Sequence, residues 1–278
     1  MPRVRLVLAL ILSSWLFVPV DARQPPPYRI LISNDDGVRA PGIAAVAQIL
    51  QAIGQVIIVA PAENQSGKGH SIVTSEPILR EDLTLPNGLK AIGLTATPAT
   101  TVNVAIRNIV TPLPDLVVSG INRGYNLGYT AYLSGTVGAA REAAMHGVPA
   151  IAASVQEDGA NRNYGNAAEE VLGVARRVKQ YGLARNTFLN VNVPAMPTGG
   201  YRGYRITTQA LQRSGEERFA ETPHPSGRTV YWNVYKEGAT APEGTDIHAV
   251  NEGYVSVTPM KLGETDPSQF EALRAIFK

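Results

Sequence analysis

The stretch YRILISNDDG at residues 28–37 decides the fold of this chain. It begins with a mostly apolar run typical of a buried strand, and two adjacent carboxylates, Asp35 and Asp36, follow that run directly. Successive side chains of a strand point to opposite faces, so neighbouring aspartates can converge on one site only where the strand ends and the backbone turns. Gly37 allows such a turn, because glycine tolerates backbone conformations that other residues avoid.

The aspartate pair predicts a metal site. Two carboxylates held close together repel each other, and a hard divalent cation such as Mg²⁺ or Mn²⁺ commonly relieves that repulsion. An ordinary turn ahead of a helix is the alternative, because Asn and Asp also favour turns by hydrogen bonding to their own backbone. The stretch alone does not separate the two interpretations.

The composition narrows the class of protein. With 278 residues, of which 44% are hydrophobic and 17% charged, the chain can bury a large core in one domain or in one domain with an appendage. The formal net charge of +2 and the scattered Lys and Arg residues argue against a nucleic-acid polymer as partner. Cysteine is absent, which excludes thiol nucleophiles, disulfides and thiolate metal sites. Any metal must therefore be bound through oxygen or imidazole.

The N-terminal residues predict export. Arg3 and Arg5 precede an apolar run at 6–20, and small residues near Ala22 suit signal peptidase, so residues 1–22 are interpreted as a signal peptide. A membrane anchor is the alternative, although the run is shorter than the roughly 20 residues that a spanning helix needs. We therefore expect a bacterial periplasmic protein with no stable membrane association after cleavage. If the segment does not act as a signal, the protein would stay in the cytoplasm.

Helical and strand periodicities alternate after residue 28. Short strands that are apolar throughout indicate burial on both faces, and strands alternating with helices indicate a parallel sheet. The chain is therefore predicted to adopt an α/β fold with a Rossmann-like, doubly wound, mostly parallel sheet. The predicted strands after the first are 55–60, 115–119, 149–153 and 188–193, and the predicted helices are 43–53, 102–109, 134–146 and 166–179.

Two β-rich segments interrupt this alternation. Residues 78–94 contain the turn sequence PNG at 86–88 and predict a β-hairpin. Residues 200–260 have strand composition and are interpreted as a C-terminal β-hairpin arm. Extended hairpins often pair with a neighbouring subunit, so we expect a homodimer or homotetramer. A β-subdomain that packs within its own chain is the alternative.

Polar residues follow the predicted strands and are expected to meet. In an open α/β sheet the ligand crevice lies beyond the carboxyl ends of the strands. The loops at 34–37, 64–70 and 119–128 all follow strands, and together they carry carboxylates, hydroxyls and amide oxygens. This set of donors suits a hard cation that keeps some of its water ligands. His70, in the second of these loops, could act as an acid or as a phosphate ligand.

A helix is predicted to begin at Ser134, Gly135 and Thr136. The N-terminus of a helix favours a phosphate, because its first backbone N–H groups have no partner within the helix. The alternative for Ser134 is a plain N-cap, which is the more frequent role of a serine at this position.

Five short motifs together resemble the survival protein SurE family of metal-dependent nucleotidases. The resemblance runs in order from about residue 28 to 155 and resumes at 244–246 and 253–259, and it implies a SurE-like domain over 28–278. It further implies hydrolysis of phosphomonoesters, chiefly nucleoside 5′- and 3′-monophosphates. The motifs are NDDG at 34–37, NQSG at 64–67, SGIN at 119–122, NLG at 126–128 and SGTV at 134–137.

The resemblance also implies roles for individual residues. Asp35 and Asp36 would be catalytic, with a Mg²⁺ or Mn²⁺ cofactor, and a metal-bound water would attack phosphorus. Direct attack by an aspartate is the rival route. A phosphate or nucleotide sensor that uses the same crevice without turnover is the alternative function. The implied metal ligands are Asp35, Asp36, Ser66 and Asn122, and the residues implied near the phosphate are Asn126, Ser134, Gly135 and Thr136.

Overall fold

The computed structural model describes residues 26–156, 164–211, 216–236 and 240–277. The predicted signal peptide at 1–22 lies outside the described residues. The strands are β1 (Arg29–Ser33), β2 (Gln55–Pro61), β3 (Arg80–Thr84), β4 (Lys90–Leu94), β5 (Leu116–Arg123), β6 (Ala150–Val155), β7 (Thr187–Val193), β8 (Tyr204–Ile206), β9 (Glu216–Pro223), β10 (Thr229–Lys236) and β11 (Val255–Lys261). The helices are α1 (Pro41–Leu50), α2 (Pro98–Val104), α3 (Thr130–Leu133), α4 (Gly135–Met145), α5 (Tyr164–Tyr181), α6 (Asp246–Asn251) and α7 (Phe270–Ile276).

Nine strands form one mixed sheet in the order β3-β4-β2-β1-β5-β6-β7-β11-β8. The six strands from β4 to β7 are parallel, whereas β3 and β11 run antiparallel to their neighbours β4 and β7. The predicted doubly wound, mostly parallel α/β sheet is confirmed. Strand β2 lies on one side of β1 in the sheet, and β5 lies on the other side. The direction in which the chain adds strands therefore reverses between β1 and β5. Ligand crevices of open α/β sheets lie at such a switch point.

Burial on both faces explains why β1 is apolar throughout. Ile30 and Ile32 pack into the layer formed by α1 and α5, and Leu31 packs on the opposite face against α2 and α4. All three side chains have no solvent exposure. Each buried side chain of this size contributes about 1.5–3 kcal/mol relative to an exposed one, so β1 is a well-anchored support for the polar residues that follow it.

Helix α1 lies close to the strand that carries the next polar loop. It begins at Pro41, where proline is favoured because the first helical N–H group needs no partner. A Cβ atom on the following Gly42 would lie 2.0 Å from the backbone oxygen of Ile121 in β5. Only glycine allows this approach, which sets the distance between α1 and the carboxyl end of β5.

The predicted hairpin at 78–94 is present as β3 and β4. In its turn the Leu85 backbone N–H donates to the Leu89 backbone oxygen at 2.8 Å, and the Gly88 N–H donates to the Leu85 backbone oxygen at 2.9 Å. Gly88 has a φ of +85°, which glycine adopts without strain. Strand β4 also pairs in parallel with β2, so the hairpin extends the main sheet at one edge.

The C-terminal β-rich region divides into two parts. Strands β8 and β11 join the main sheet, whereas β9 and β10 pair only with each other as an antiparallel hairpin of eight residues in each strand. The separate β-structure therefore occupies 216–236, a shorter span than the predicted arm at 200–260. Among the described residues, no helix has the length and apolar character required to cross a bilayer.

Candidate active site

The turn after β1 is shaped by Asn34. Its side-chain amide donates a hydrogen bond of 2.8 Å to the Gly37 backbone oxygen, and Gly37 has a φ of +101°. Asn34 is fully buried, and its bond to nearby backbone is the kind by which Asn stabilises turns. The two interpretations of this stretch, a turn and a metal site, are therefore compatible. Asn34 forms the turn, and neither aspartate side chain is needed for it.

Asp35 is a buried carboxylate at the N-terminus of α4. Its side chain is only 3% exposed and accepts a hydrogen bond from the Thr136 hydroxyl. A Cβ atom on Gly135 would lie 2.8 Å from Asp35 Cβ and 3.0 Å from Asp35 Oδ2, so only glycine leaves room for the aspartate here. Burial raises the pKa of Asp35 to about 6, and the nearby Asp36 charge adds to this, while the Thr136 hydrogen bond opposes it.

Asp36 extends to the neighbouring strand. Its Oδ2 atom accepts a hydrogen bond of 3.0 Å from the Arg123 backbone N–H at the end of β5. Asn122, directly before it, is buried, and its side-chain nitrogen donates to the Gly124 backbone oxygen at 2.9 Å. Because that nitrogen is used in shaping the loop, the side-chain oxygen is the atom with which Asn122 would bind a cation.

A second loop reaches the end of β1 from β2. We call residues 64–71 the Ser66 loop. The Gln65 backbone N–H donates to the Asp35 backbone oxygen at 2.7 Å, and the Ser66 N–H donates to the Asn64 side chain at 3.0 Å. The first of these bonds ties the residue directly before the exposed Ser66 to the Asp35 backbone. The four residues implied as metal ligands thus come from three loops at the switch point between β1 and β5.

The donors of this site fit a hard cation. Two carboxylates, a hydroxyl and an amide oxygen are the ligands that Mg²⁺ and Mn²⁺ prefer, and such ions keep several waters. Over the part of the chain that the structure describes, no group of three or more His, Cys, Asp or Glu side chains could hold a metal ion. A histidine-rich site of the zinc type therefore has no support among these residues.

The residues predicted near a phosphate have different surroundings. The Ser134 hydroxyl accepts a hydrogen bond of 3.2 Å from the Val137 N–H, so Ser134 is an N-cap, as the alternative interpretation proposed. The Thr136 hydroxyl is directed to Asp35. What α4 can offer a phosphate is therefore the backbone N–H groups of its first turn, immediately beside Asp35.

Asn126 is held by a polar network that sequence reasoning missed. Its backbone N–H donates to Asn192 at 2.9 Å, its side-chain nitrogen donates to Ser154 at 2.8 Å, and its backbone oxygen accepts from Asn190 at 2.8 Å. All four residues are buried. The sequence feature that could have indicated this network is the presence of polar residues inside otherwise apolar strands, as in NVNV at 190–193.

Asp246 anchors the far end of the same loop. It is fully buried and accepts hydrogen bonds of 2.8 to 3.0 Å from the backbone N–H groups of Gly128, Ala210 and Ile247. Burial raises the pKa of Asp246, although these three backbone hydrogen bonds oppose that shift. The loop that carries Asn122 and Asn126 is thus fixed at both ends, and the sequence motif at 244–246 had no assigned role before the structure.

The raised pKa of Asp35 predicts that the folding stability of the metal-free protein depends on pH. The folded-state pKa of about 6 lies above the 3.8 of an unperturbed aspartate, so stability is lost as pH rises from about 4 through 6. Asp35→Asn should therefore make the metal-free protein more stable by up to about 3 kcal/mol at pH 8, with the gain shrinking towards pH 4. Urea unfolding in chelator at several pH values measures this, with Glu76→Gln, a change at an exposed carboxylate, as control. A gain in stability that does not change with pH would contradict the raised pKa of Asp35.

The close contact at Gly135 predicts a binding defect without loss of fold. In Gly135→Ala the new Cβ atom would displace Asp35, and we expect the dissociation constant for Mn²⁺ to rise about tenfold or more. Isothermal titration calorimetry provides the measurement. Gly263→Ala is the matched control, because no atom lies within 4 Å of its added Cβ. Wild-type Mn²⁺ affinity in Gly135→Ala would show that the contact does not shape the site.

The chain is similar to known proteins over most of its length. The Survival protein SurE family matches residues 30–216. The 5′-nucleotidase SurE of Syntrophotalea carbinolica is 46% identical over 246 residues, which cover 88% of this chain and 95% of that protein. The SurE protein from Aquifex aeolicus has a solved structure with a TM-score of 0.78 and 36% identity, covering 90% of this chain and all of that one.

The predicted periplasmic location is wrong. The 5′-nucleotidase SurE of the archaeon Archaeoglobus fulgidus is 38% identical over 90% of this chain and 97% of its own length, and that of Geobacter sulfurreducens is 41% identical over 88% and 92%. The match to these relatives overturns an expectation that rested on a short N-terminal pattern. The family match and these relatives, each at least 36% identical, lead to one conclusion: the chain belongs to the SurE family.

Proposed function

We propose that this protein hydrolyses nucleoside 5′-monophosphates, and with them 3′-monophosphates, to nucleoside and phosphate, using Mg²⁺ or Mn²⁺ at Asp35 and Asp36. The observation that carries the proposal is the buried carboxylate of Asp35, placed beside Asp36 and against the first turn of α4. An anionic substrate and a cation can both be accommodated there. The relatives named 5′-nucleotidase support the same activity, and SurE nucleotidases are metal-dependent in general.

The metal site would draw on Asp35, Asp36, Ser66 and Asn122. A divalent cation bound there would neutralise charge on the phosphoryl oxygens and lower the pKa of a bound water. The chain's own contribution begins with orientation. Thr136 holds one oxygen of Asp35, the Arg123 N–H holds one oxygen of Asp36, and both carboxylates are thereby fixed before substrate arrives. Such preorganisation avoids a reorganisation cost during the reaction.

The two aspartates are suited to different tasks. Asp35 is enclosed by Thr136 and Gly135, so it has little room to attack phosphorus and serves best as a ligand. Asp36 is more exposed and can orient the attacking water and accept its proton. The backbone N–H groups at the start of α4 would bind the phosphate oxygens as negative charge develops.

The alternative of a non-catalytic nucleotide sensor gains no support from the comparisons, because the relatives are named as nucleotidases. A direct assay separates the two functions. Purified protein is incubated with 5′- and 3′-nucleoside monophosphates, short polyphosphate and p-nitrophenyl phosphate, each with Mn²⁺, Mg²⁺ or chelator, and released phosphate is measured. We expect release from the nucleotides with metal and none with chelator. Nucleotide binding without any phosphate release would favour the sensor.

Asp36→Asn tests the role of the pair. The substitution keeps the shape of the side chain but removes one negative charge from a site proposed to bind a dication. Turnover of a nucleoside monophosphate at saturating Mn²⁺ should fall at least about a hundredfold, while the circular dichroism spectrum stays that of the wild type. The exposed Asp82→Asn is a matched control that should keep full turnover. Near-wild-type turnover in Asp36→Asn would refute the assignment.

We also propose a homodimer or homotetramer joined through the hairpin of β9 and β10. The hairpin pairs with no strand of the main sheet, and its Phe219, Tyr231 and Trp232 side chains are each more than 60% exposed. Exposed aromatic side chains on a separate hairpin are typical of an interaction surface. A hairpin that adds to another subunit would bury them.

Removing the hairpin tests this assembly. A variant with residues 216–236 replaced by a short Gly-Ser linker should elute as a monomer, or as a smaller species than the wild type, in size-exclusion chromatography with light scattering. Trp232→Glu should shift the distribution in the same direction, while Leu79→Glu, on an exposed leucine outside the hairpin, should not. A full-length protein that is monomeric at micromolar concentration would rule the assembly out.

A further inference from the structure

Glu142 is a buried carboxylate on α4 that collects three hydrogen bonds. Its Oε2 atom lies 2.7 Å from His70 Nε2, and its Oε1 atom lies 2.6 Å from the Asn103 side-chain nitrogen and 3.2 Å from His146 Nε2. Burial alone would raise its pKa, but the hydrogen bonds from His70 and Asn103 and the charges of both imidazoles outweigh burial, so the pKa of Glu142 lies below its usual range. A buried carboxylate with this many donors holds its partners firmly in place.

The three partners come from different parts of the chain. Asn103 is on α2, and His146 ends α4 itself. His70 alone comes from the Ser66 loop. The bond between His70 and Glu142 therefore joins that loop to α4, and of the three contacts it is the one able to affect the position of Ser66.

The Ser66 loop lies along α4 with anchors on both sides of Ser66. Before it, the Gln65 N–H bonds to the Asp35 backbone oxygen, and after it, the Gly69 N–H bonds to the Leu133 backbone oxygen at 2.9 Å. A Cβ atom on Gly138 would lie 2.2 Å from the Gly69 backbone oxygen, so the loop rests directly on the helix backbone. His70 follows at once, and its side chain extends the contact to Glu142.

The segment between these anchors has few contacts of its own. Ser66, Gly67 and Lys68 are all exposed, and nothing lies within 4 Å of a Cβ atom built on Gly67, whose φ is +73°. Glycine adds backbone freedom on the downstream side of Ser66. The position of the Ser66 hydroxyl therefore depends on how firmly the residues after Lys68, which are Gly69 and His70, are held against α4.

We propose that His70 is a positioning residue, whose hydrogen bond to Glu142 holds the Ser66 loop against α4 and so places the Ser66 hydroxyl beside Asp35 and Asp36 for the divalent cation. The inference rests on the proposed function. It differs from the role of acid or phosphate ligand suggested by the sequence, because the Nε2 atom of His70 is bound to Glu142. Glu142 lies six residues beyond Thr136 on α4, which is about 9 Å along the helix axis and away from the phosphate end.

Three variants of the full-length protein separate positioning from general stability. His70→Ala removes the contact between loop and helix, and we expect the dissociation constant for Mn²⁺ to rise about tenfold. His70→Gln keeps a donor near the position of Nε2 and should bring the affinity back to within about threefold of the wild type. His146→Ala is the matched control, because it removes the other imidazole from the same carboxylate without touching the Ser66 loop.

Calorimetric titration with Mn²⁺ gives the affinities, and hydrogen exchange over residues 64–71 reports how firmly the loop is held. We expect weaker binding and faster exchange in His70→Ala but not in His146→Ala, with thermal midpoints recorded for both. Unchanged Mn²⁺ affinity in His70→Ala, or an equal loss in His146→Ala, would overturn this inference alone. A wild-type protein that binds no Mn²⁺ would overturn the proposed function and this inference with it.

Discussion

The burial of one carboxylate, Asp35, is the constraint on which the candidate site depends. An ionised group that is only 3% exposed is unfavourable in the absence of compensating charge, and its raised pKa expresses that cost. Thr136 and the first turn of α4 compensate in part, and a divalent cation would do so further. The protein thus gives up stability at the place where metal and phosphate are proposed to bind, which is a common relation between stability and function.

A second layer of buried polar residues holds the loops that form the site. Asn190, Asn192 and Ser154 fix Asn126, Asp246 fixes the end of the same loop, and Glu142 fixes the Ser66 loop through His70. Each of these residues makes at least one hydrogen bond through its side chain, as buried polar residues usually do. These residues lie on β6, β7, α4 and α6. Several separate elements therefore contribute to the position of the few oxygen atoms of the candidate site.

The sequence predicted the architecture well because periodicity is a local property. The apolar runs of β1, β5 and β6 and the helical spacing of α1 and α5 led directly to the doubly wound sheet and to the meeting of the loops after β1, β2 and β5. Two points could not be derived from local patterns. Within the predicted arm at 200–260, β8 and β11 join the main sheet whereas β9 and β10 form a separate hairpin, and strand composition does not tell which strands join the main sheet. The prediction of a periplasmic location was wrong, because a charged N-terminus and a short apolar run are weak signals on their own.

What the sequence by itself determined is the set of chemical groups and the end of the sheet at which they gather. Asp35, Asp36, Ser66 and Asn122 follow apolar strands, and strands of that kind leave their polar successors at one edge. Only the tertiary structure decided which of these groups are buried, that Ser134 caps α4 while Thr136 binds Asp35, and that Glu142 joins α4 to the Ser66 loop. Burial and long-range hydrogen bonds depend on contacts between residues far apart in the chain, such as Thr136 and Asp35, which are 101 positions apart, or Gly128 and Asp246, which are 118 apart. No local pattern in the sequence specifies such contacts.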